Sequence, residues 1–307
     1  MSVVRAAAPL IALALAGSAV TGCNPAEGSG KPEVVASFYP LAYVAEEVVG
    51  NHAEVVNLTA PGVEPHDVEL SPRETAEVSS ASVVFHEKGL QPAVDQVISN
   101  DRPDHVVDAA AVVDLHEAEE HEEGHGDEEG HDHQGSDPHF WLDPTLLGEA
   151  ADAFTKTMSA ADPEHADDFK ANNTRLQDDL AKLDEDFKAG LEKCTTRAIV
   201  VSHDAFGYLG ERYDLEVHAI AGLSPDAEPS ARRLGELSDL IREDDITTVF
   251  TERLVSPKLA DTLASDLGVE TAVLDPIEGL SDKDADEDYV DLMRENLTAL
   301  QKAGGCS

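Results

Sequence analysis

Short runs of apolar and β-branched residues alternate along the chain with longer stretches of helical periodicity. Short runs of this kind predict strands, and their alternation with helices is typical of parallel α/β units. We expect four strands in each half of the chain, at residues 34–38, 55–59, 83–86, 105–107, 198–202, 215–220, 247–251 and 271–274. The pattern therefore predicts an α/β fold of two lobes, each with a four-stranded parallel sheet flanked by helices.

A long amphipathic helix is predicted between the two halves. Asp162 and Pro163 are typical of a helix start, with a carboxylate at the N-cap and proline in the first turn. Apolar residues then recur at helical spacing on one face, at Phe169, Leu176, Leu180, Leu183, Phe187 and Leu191. We interpret residues 162–193 as one rigid helix that joins an N-terminal lobe (33–161) to a C-terminal lobe (194–307). A helix packed wholly on one lobe would give the same pattern.

The first residues of the chain carry an apolar run from Ala6 to Val20. It is shorter than a permanent membrane helix and has the length of a secretory signal core. The run leads into Val-Thr-Gly-Cys23, which resembles a bacterial lipobox. We therefore expect a lipoprotein signal peptide over residues 1–22, a lipid on Cys23 and a flexible tether over 23–32. An ordinary signal peptide with a chance cysteine is the alternative.

Charge and cysteine content narrow the functional classes. The formal net charge of −42 would repel the phosphate backbone, so we expect no nucleic-acid partner. The acidic composition is only weak evidence for a cation ligand, because an acidic surface that is simply exposed to solvent would give the same composition. After removal of the signal peptide and lipidation of Cys23, Cys194 and Cys306 remain, and an even number in an exported protein predicts one disulfide. Two buried free thiols are the alternative.

Four potential metal ligands follow predicted strands. His66 follows the second strand, His139 the fourth, His203 the fifth and Asp275 the last. In parallel sheets, ligands bind in the crevice beyond the carboxyl ends of the strands, so two residues from each half face one interlobe cleft. Imidazoles suit Zn²⁺ in a tetrahedral site, whereas Mn²⁺ and Mg²⁺ prefer carboxylate oxygens. The pattern predicts a zinc site of His66, His139, His203 and Asp275.

Motifs surround these candidates: Gly-Val-Glu-Pro-His66, Asp-Pro-His139-Phe-Trp-Leu-Asp-Pro, Ser-His203-Asp-Ala-Phe-Gly-Tyr, the segment 222–230, and Tyr289, Met293, Asn296 and Leu297 near the end. From about residue 34 onwards the chain resembles the metal-binding solute-binding lipoproteins of zinc and manganese ABC transporters. The resemblance implies two lobes joined by a long helix, with metal between them. It also implies a permease and its ATPase as partners, and a place on the outer face of the cell membrane. We expect a monomer that meets the membrane only through its lipid.

Details of the resemblance favour the zinc branch. Manganese-type members carry glutamate where this chain has His203. Zinc-type members often carry a His-rich acidic loop before the Asp-Pro-His motif, as here. Some zinc-type members place glutamate directly before the first histidine, whereas this chain has Pro65 there and Glu64 one step earlier. The fourth ligand is therefore Asp275 or a water.

The acidic segment 114–137 has too few apolar residues to fold alone and is predicted to be a mobile loop. Several imidazoles on one tether offer many weak metal arrangements. We interpret the loop as a secondary, weak zinc-binding segment; a solvated linker is the alternative. Its histidines are His116, His121, His125, His131 and His133.

Functions other than zinc import are compatible with parts of this pattern. A manganese-binding homologue and a metal-dependent surface adhesin are the alternatives closest to it. A zinc hydrolase would need a base beside an open coordination position, for which Glu64 and Glu252 are the candidates. No His-Glu-x-x-His helix or nucleophile elbow is present, so we expect no enzyme. His86 and Glu252 follow strands on the cleft side and are expected at the rim or as supports of the metal ligands; direct contact with the metal is the alternative.

Overall fold

The computed structural model describes residues 30–117, 136–281 and 287–307, and residues 32–307 form one compact unit. The described residues contain two four-stranded sheets in which all neighbouring strands are parallel. The first sheet has the order β2-β1-β3-β4, with β1 Glu33–Ala36, β2 Glu54–Asn57, β3 Val83–His86 and β4 Val106–Asp108. The second has the order β6-β5-β7-β8, with β5 Ala198–Val201, β6 Glu216–Ala219, β7 Thr248–Thr251 and β8 Glu270–Val273. The predicted α/β class is confirmed, and each predicted strand is present with ends displaced by at most two residues.

Helices flank both sheets. They are α1 Tyr39–Val49, α2 Pro72–Ser80, α3 Pro92–Asp101, α4 Pro144–Ala161, α5 Ala166–Leu191, α6 Gly207–Tyr213, α7 Ala231–Glu243, α8 Lys258–Leu267 and α9 Tyr289–Gly304. Side-chain caps define where several of them begin. Ser71 and Glu74 form a capping box at α2, and Ser230 and Asp288 accept backbone N–H groups at α7 and α9. Among the described residues, no helix has both the length and the apolar character needed to cross a membrane.

Helix α5 has 26 residues and is therefore about 39 Å long. It starts at Ala166, later than predicted, because Asp162 receives a hydrogen bond from the His165 ring and closes a turn after α4. The six apolar residues of its predicted face are all buried. The helix contacts α1 and α4 on the side of the first sheet, and α6 and α9 on the side of the second. The helix thus packs against both lobes.

One hydrophobic cluster runs through the first lobe, α5 and the inner side of the second lobe. Trp141 lies within it, fully buried, with its ring edge against Phe38. Its indole N–H donates to the carbonyl of Pro276 at 2.7 Å, and its own carbonyl accepts from the Tyr289 hydroxyl. Trp141 is thus held by packing and by two hydrogen bonds that cross between the lobes.

The predicted disulfide is present. Cys194 and Cys306 are bonded across 112 residues of sequence and join the start of the second lobe to the chain after α9. The predicted signal peptide, the lipidated Cys23 and the predicted tether up to residue 29 lie outside the described residues. So do four histidines of the acidic segment, His121, His125, His131 and His133.

Candidate metal centre

His66 lies in a short 3₁₀ turn, Pro65–Asp67, that follows β2. Pro65 occupies the first position of this turn, where its fixed φ suits a helical start. The Glu64 carboxylate accepts the backbone N–H of His66 at 3.3 Å. These features hold the His66 backbone, while its side chain remains 17% exposed.

His139 is fully buried and is held by a residue two positions earlier. Asp137 Oδ1 accepts the backbone N–H of His139 at 3.0 Å and lies 2.7 Å from its Nδ1. A carboxylate at Nδ1 fixes the ring orientation and leaves Nε2 as the metal-facing nitrogen.

His203 follows β5 and is also fully buried. Its supporting carboxylate comes from the neighbouring strand, because Glu252 directly follows β7. Both oxygens of Glu252 lie 2.9 Å from His203 Nδ1, and Oε1 also accepts the His203 backbone N–H. Nε2 of this imidazole again faces away from its support.

The three imidazoles converge on one carboxylate oxygen. Oε1 of Glu278 lies 3.0 Å from Nε2 of His139, 3.3 Å from Nε2 of His203 and 3.5 Å from Nε2 of His66. One potential ligand atom from each of the four residues lies within 4.8 Å of all the others. A tetrahedral zinc shell with bonds of about 2.0–2.1 Å separates neighbouring ligand atoms by about 3.3 Å. The three distances from Glu278 Oε1 are close to that separation, and the imidazole nitrogens lie within 4.8 Å of one another.

Asp275, predicted as the fourth ligand, lies outside this group. Its Oδ1 accepts the backbone N–H of Ile277 at 2.7 Å, and its Oδ2 lies 3.5 Å from Arg253 Nη1. Asn296 bonds both the N–H and the carbonyl of Asp275. The aspartate therefore stabilises the turn after β8, and the carboxylate that meets the imidazoles is Glu278, three residues later. Sequence reasoning chose the first acid after the strand because the path of the turn is not visible in the residue pattern.

The turn that carries Glu278 is strained and held from both lobes. Ile277 is buried at φ +58°, a left-handed conformation that costs most for a β-branched residue. The Trp141 indole holds the carbonyl of Pro276, and the Gly62 N–H, four residues before His66, donates to Leu280 at 2.7 Å. Each ligand-bearing loop of the first lobe is thus hydrogen-bonded to the Glu278 turn.

Buried charge shifts the protonation of the cluster. Burial disfavours the imidazolium of His139, but Asp137 and Glu278 outweigh this effect and raise its pKa to about 9. Burial likewise opposes the charge on His203, and Glu252 and Glu278 raise its pKa well above the usual range.

The same balance acts on Glu278. Burial would raise its pKa, but the three imidazoles around the carboxylate hold the pKa well below the usual range. Nε2 of His66 and of His203 are nevertheless buried without a hydrogen bond of good geometry to any described residue. Imidazole nitrogens left in this state around an ionised carboxylate fit a divalent cation, which binds as protons leave.

Two other carboxylates near the site have separate roles. Burial and the adjacent Glu278 raise the pKa of Glu64 to about 9. Of the two roles expected for Glu252, the structure has the supporting one, because Glu252 is buried against His203 rather than at the rim. His86 is also buried rather than at the rim, with Nδ1 3.3 Å from Asp95.

His116 differs from the prediction of a mobile residue. Its ring stacks on Tyr208 with a centroid separation of 4.0 Å, and its Nε2 lies 3.1 Å from Glu211. Its backbone N–H also donates to the Tyr208 hydroxyl at 2.8 Å. These contacts with α6 fix His116 beside the second lobe.

Comparisons with known proteins agree on one family. The family profile described as "Zinc-uptake complex component A periplasmic" (ZnuA) matches residues 34–303. The chain is 35% identical over 304 residues to the high-affinity zinc uptake system protein ZnuA of Bacillus subtilis strain 168, covering 97% of this chain and 95% of that protein. It is 34% identical over 285 residues to the zinc-binding lipoprotein AdcA of Streptococcus pneumoniae strain R6, covering 91% of this chain and 57% of that protein.

A solved structure extends the agreement to the fold. The Zn(II)-bound ZnuA-like domain of Streptococcus pneumoniae AdcA aligns with a TM-score of 0.74 and 31% identity, over 90% of this chain and 99% of that domain. Sequence and fold agree across nearly the same residues, so the chain belongs to the zinc-uptake complex component A family.

Proposed function

We propose that this chain is the extracytoplasmic zinc-binding component of an ABC importer. It captures Zn²⁺ between its lobes with His66, His139, His203 and Glu278, and delivers the ion to a permease that works with an ATPase. The observation that carries the proposal is the convergence of three Nε2 atoms on one oxygen of a buried glutamate. Membership of the family and the names of its relatives support the transport role.

The donor set favours zinc over manganese. Three imidazole nitrogens and one carboxylate are typical ligands for Zn²⁺, whereas Mn²⁺ prefers sites richer in oxygen. A shell completed by Glu278 also leaves no open position for an activated water, as a zinc hydrolase would need. The site therefore suits capture and release of an ion as cargo.

The position of the protein in the cell follows from its first residues. The Val-Thr-Gly-Cys23 motif supports a lipid anchor on Cys23, and the relative AdcA is itself named a lipoprotein. The mature protein would then stay at the outer face of the membrane as a monomer. The histidines of the acidic segment would gather Zn²⁺ weakly near the tight site.

Titration of the apo protein with Zn²⁺ and Mn²⁺, each in competition with a chelator of known affinity, tests the proposal. We expect one tight Zn²⁺ site per chain and binding of Mn²⁺ that is at least about 100-fold weaker. A variant without residues 118–134 should keep the tight site and lose only weak binding. Equal affinity for the two metals would exclude the zinc assignment.

A thermal melt separates transport from a structural metal. Since one cluster of apolar side chains spans both lobes, the apo protein should unfold cooperatively and gain stability on zinc binding. An apo protein that is unfolded before heating would instead indicate a structural metal.

A further inference from the structure

The two chain segments that flank residues 118–135 meet beside α6 of the second lobe. Glu117 and Ser136 form an antiparallel bridge, and the Asp137 N–H donates to the carbonyl of His116 at 2.9 Å. We call residues 116, 117, 136 and 137 the neck. Its two strands are hydrogen-bonded to each other immediately before the loop that carries His139.

One hydroxyl group of the second lobe bonds both strands of the neck. The Tyr208 hydroxyl accepts the backbone N–H of His116 at 2.8 Å and donates to the carbonyl of Asp137 at 2.7 Å. Tyr208 is 2% exposed, and its ring stacks on His116. Because the residue is buried, water has little access to replace either hydrogen bond if the hydroxyl is removed.

Asp137 connects this contact to the metal centre. Its carbonyl bonds Tyr208, while its Oδ1 bonds both the backbone N–H and Nδ1 of His139. Gly207 lies against the other carboxylate oxygen, since a Cβ at position 207 would come within 2.9 Å of Asp137 Oδ2. Two consecutive residues of α6 thus contact Asp137, Gly207 at its carboxylate and Tyr208 at its backbone carbonyl.

We propose that Tyr208 is a positioning residue for zinc binding, acting on His139 through Asp137. The inference rests on the proposed function. Hydrogen bonds run from the His116 backbone through the Tyr208 hydroxyl to Asp137, and from Asp137 to the imidazole. The second lobe therefore sets the orientation of a ligand that belongs to the first lobe, at the base of the His-rich segment.

The test is Tyr208→Phe, which removes the hydroxyl and keeps the ring. The matched control is Tyr213→Phe, the same change in the same helix, where the ring stacks on Phe187 of α5. Partners that orient a metal ligand typically contribute about 10–100-fold to metal affinity. We expect Tyr208→Phe to weaken Zn²⁺ binding by about tenfold, mainly through faster release, and the control to change it less than about twofold. Equal affinities of Tyr208→Phe and the wild type would overturn the proposal.

A double-mutant cycle and a spectroscopic readout separate positioning from a general loss of packing. In an Asp137→Asn background, Tyr208→Phe should have less than about a twofold further effect, because its route to His139 is already altered. If the losses of zinc affinity caused by Tyr208→Phe and by Asp137→Asn simply multiply in the double variant, the proposed route is contradicted. In the apo protein, Tyr208→Phe should shift the ¹⁵N resonances of the His139 ring and leave those of His203 in place; an unchanged His139 signal would also contradict it. The apo spectra need no zinc, so this inference can be judged even if the transport proposal fails.

Discussion

The two lobes each place an Asp-Pro turn beyond the last strand of the sheet, and they use it differently. Asp137 accepts the backbone N–H two residues later, that of His139, and Asp275 does the same for Ile277. In the first lobe the residue that donates this hydrogen bond, His139, is itself in the metal cluster. In the second lobe, the cluster residue is the next one, Glu278. By this comparison, Asp275 corresponds to the supporting Asp137 and not to a ligand.

The lobes differ in a second respect, the source of support for their buried imidazoles. His139 is held by Asp137 from its own loop, whereas His203 is held by Glu252 from the neighbouring strand β7. Both supports exist within a single lobe. The carboxylate that holds each imidazole thus comes from the same lobe as that imidazole, and Asp137 is in addition bonded by Tyr208 of the second lobe.

The largest expected effect tests whether the ion is shared between the lobes. His139→Ala and His203→Ala each remove one buried ligand, and each should weaken Zn²⁺ binding by more than about 100-fold, since loss of a ligand should exceed the effect of losing its support. Competition titration of the two purified variants measures this.

His52→Ala is the matched control, because His52 lies away from the cluster with its Nε2 3.2 Å from Asp168. It should leave the tight site unchanged. Wild-type affinity in either lobe variant would mean that one lobe binds the ion alone.

The two Asp-Pro turns also show what the sequence could and could not predict. Strand positions follow from short β-branched runs, and the ligand edge follows from the parallel sheet, so His66, His139 and His203 could be placed at one cleft. The position of Glu278, rather than Asp275, beside the imidazoles depends on the left-handed backbone conformation of Ile277 and on the contacts of Asp275 with Asn296. Both are tertiary features. The pattern of residues does not encode them locally.

The late start of α5 and the anchoring of His116 have the same origin. The hydrogen bond between the His165 ring and Asp162 closes a turn, so α5 begins only at Ala166. Tyr208 reaches the neck from a distant part of the chain. Sequence periodicity reports burial of a face, and it does not report such single long-range hydrogen bonds.

A smaller effect on zinc affinity tests whether Asp275 has the same supporting role as Asp137. Asp275→Ala removes the acceptor for the Ile277 N–H and should weaken Zn²⁺ binding by about tenfold, at the lower end of the range for residues that support a ligand. Asp275→Asn keeps an oxygen acceptor at the same position and should stay within about threefold of the wild type.

The pair of variants distinguishes support from coordination. If Asp275 bound the ion directly, the neutral amide would be a poor ligand and Asp275→Asn would lose as much affinity as Asp275→Ala. Glu278→Gln provides the reference for a coordinating carboxylate, and it should lose more than either Asp275 variant.

The smallest expected effect on zinc binding concerns the disulfide, a feature found in the second lobe alone. Cys194 and Cys306 close a loop of 112 residues, and bridges of this kind contribute about 2–4 kcal/mol, chiefly by restricting the unfolded chain. The double change Cys194→Ser with Cys306→Ser should lower the free energy of unfolding by that amount in urea titrations, while zinc affinity stays within about twofold. The bridge lies beside Gly304, whose carbonyl accepts the Thr195 N–H, and it contains no residue of the metal cluster. A large loss of zinc affinity would show instead that the second lobe needs its covalent bridge to hold His203 and Glu278 in place.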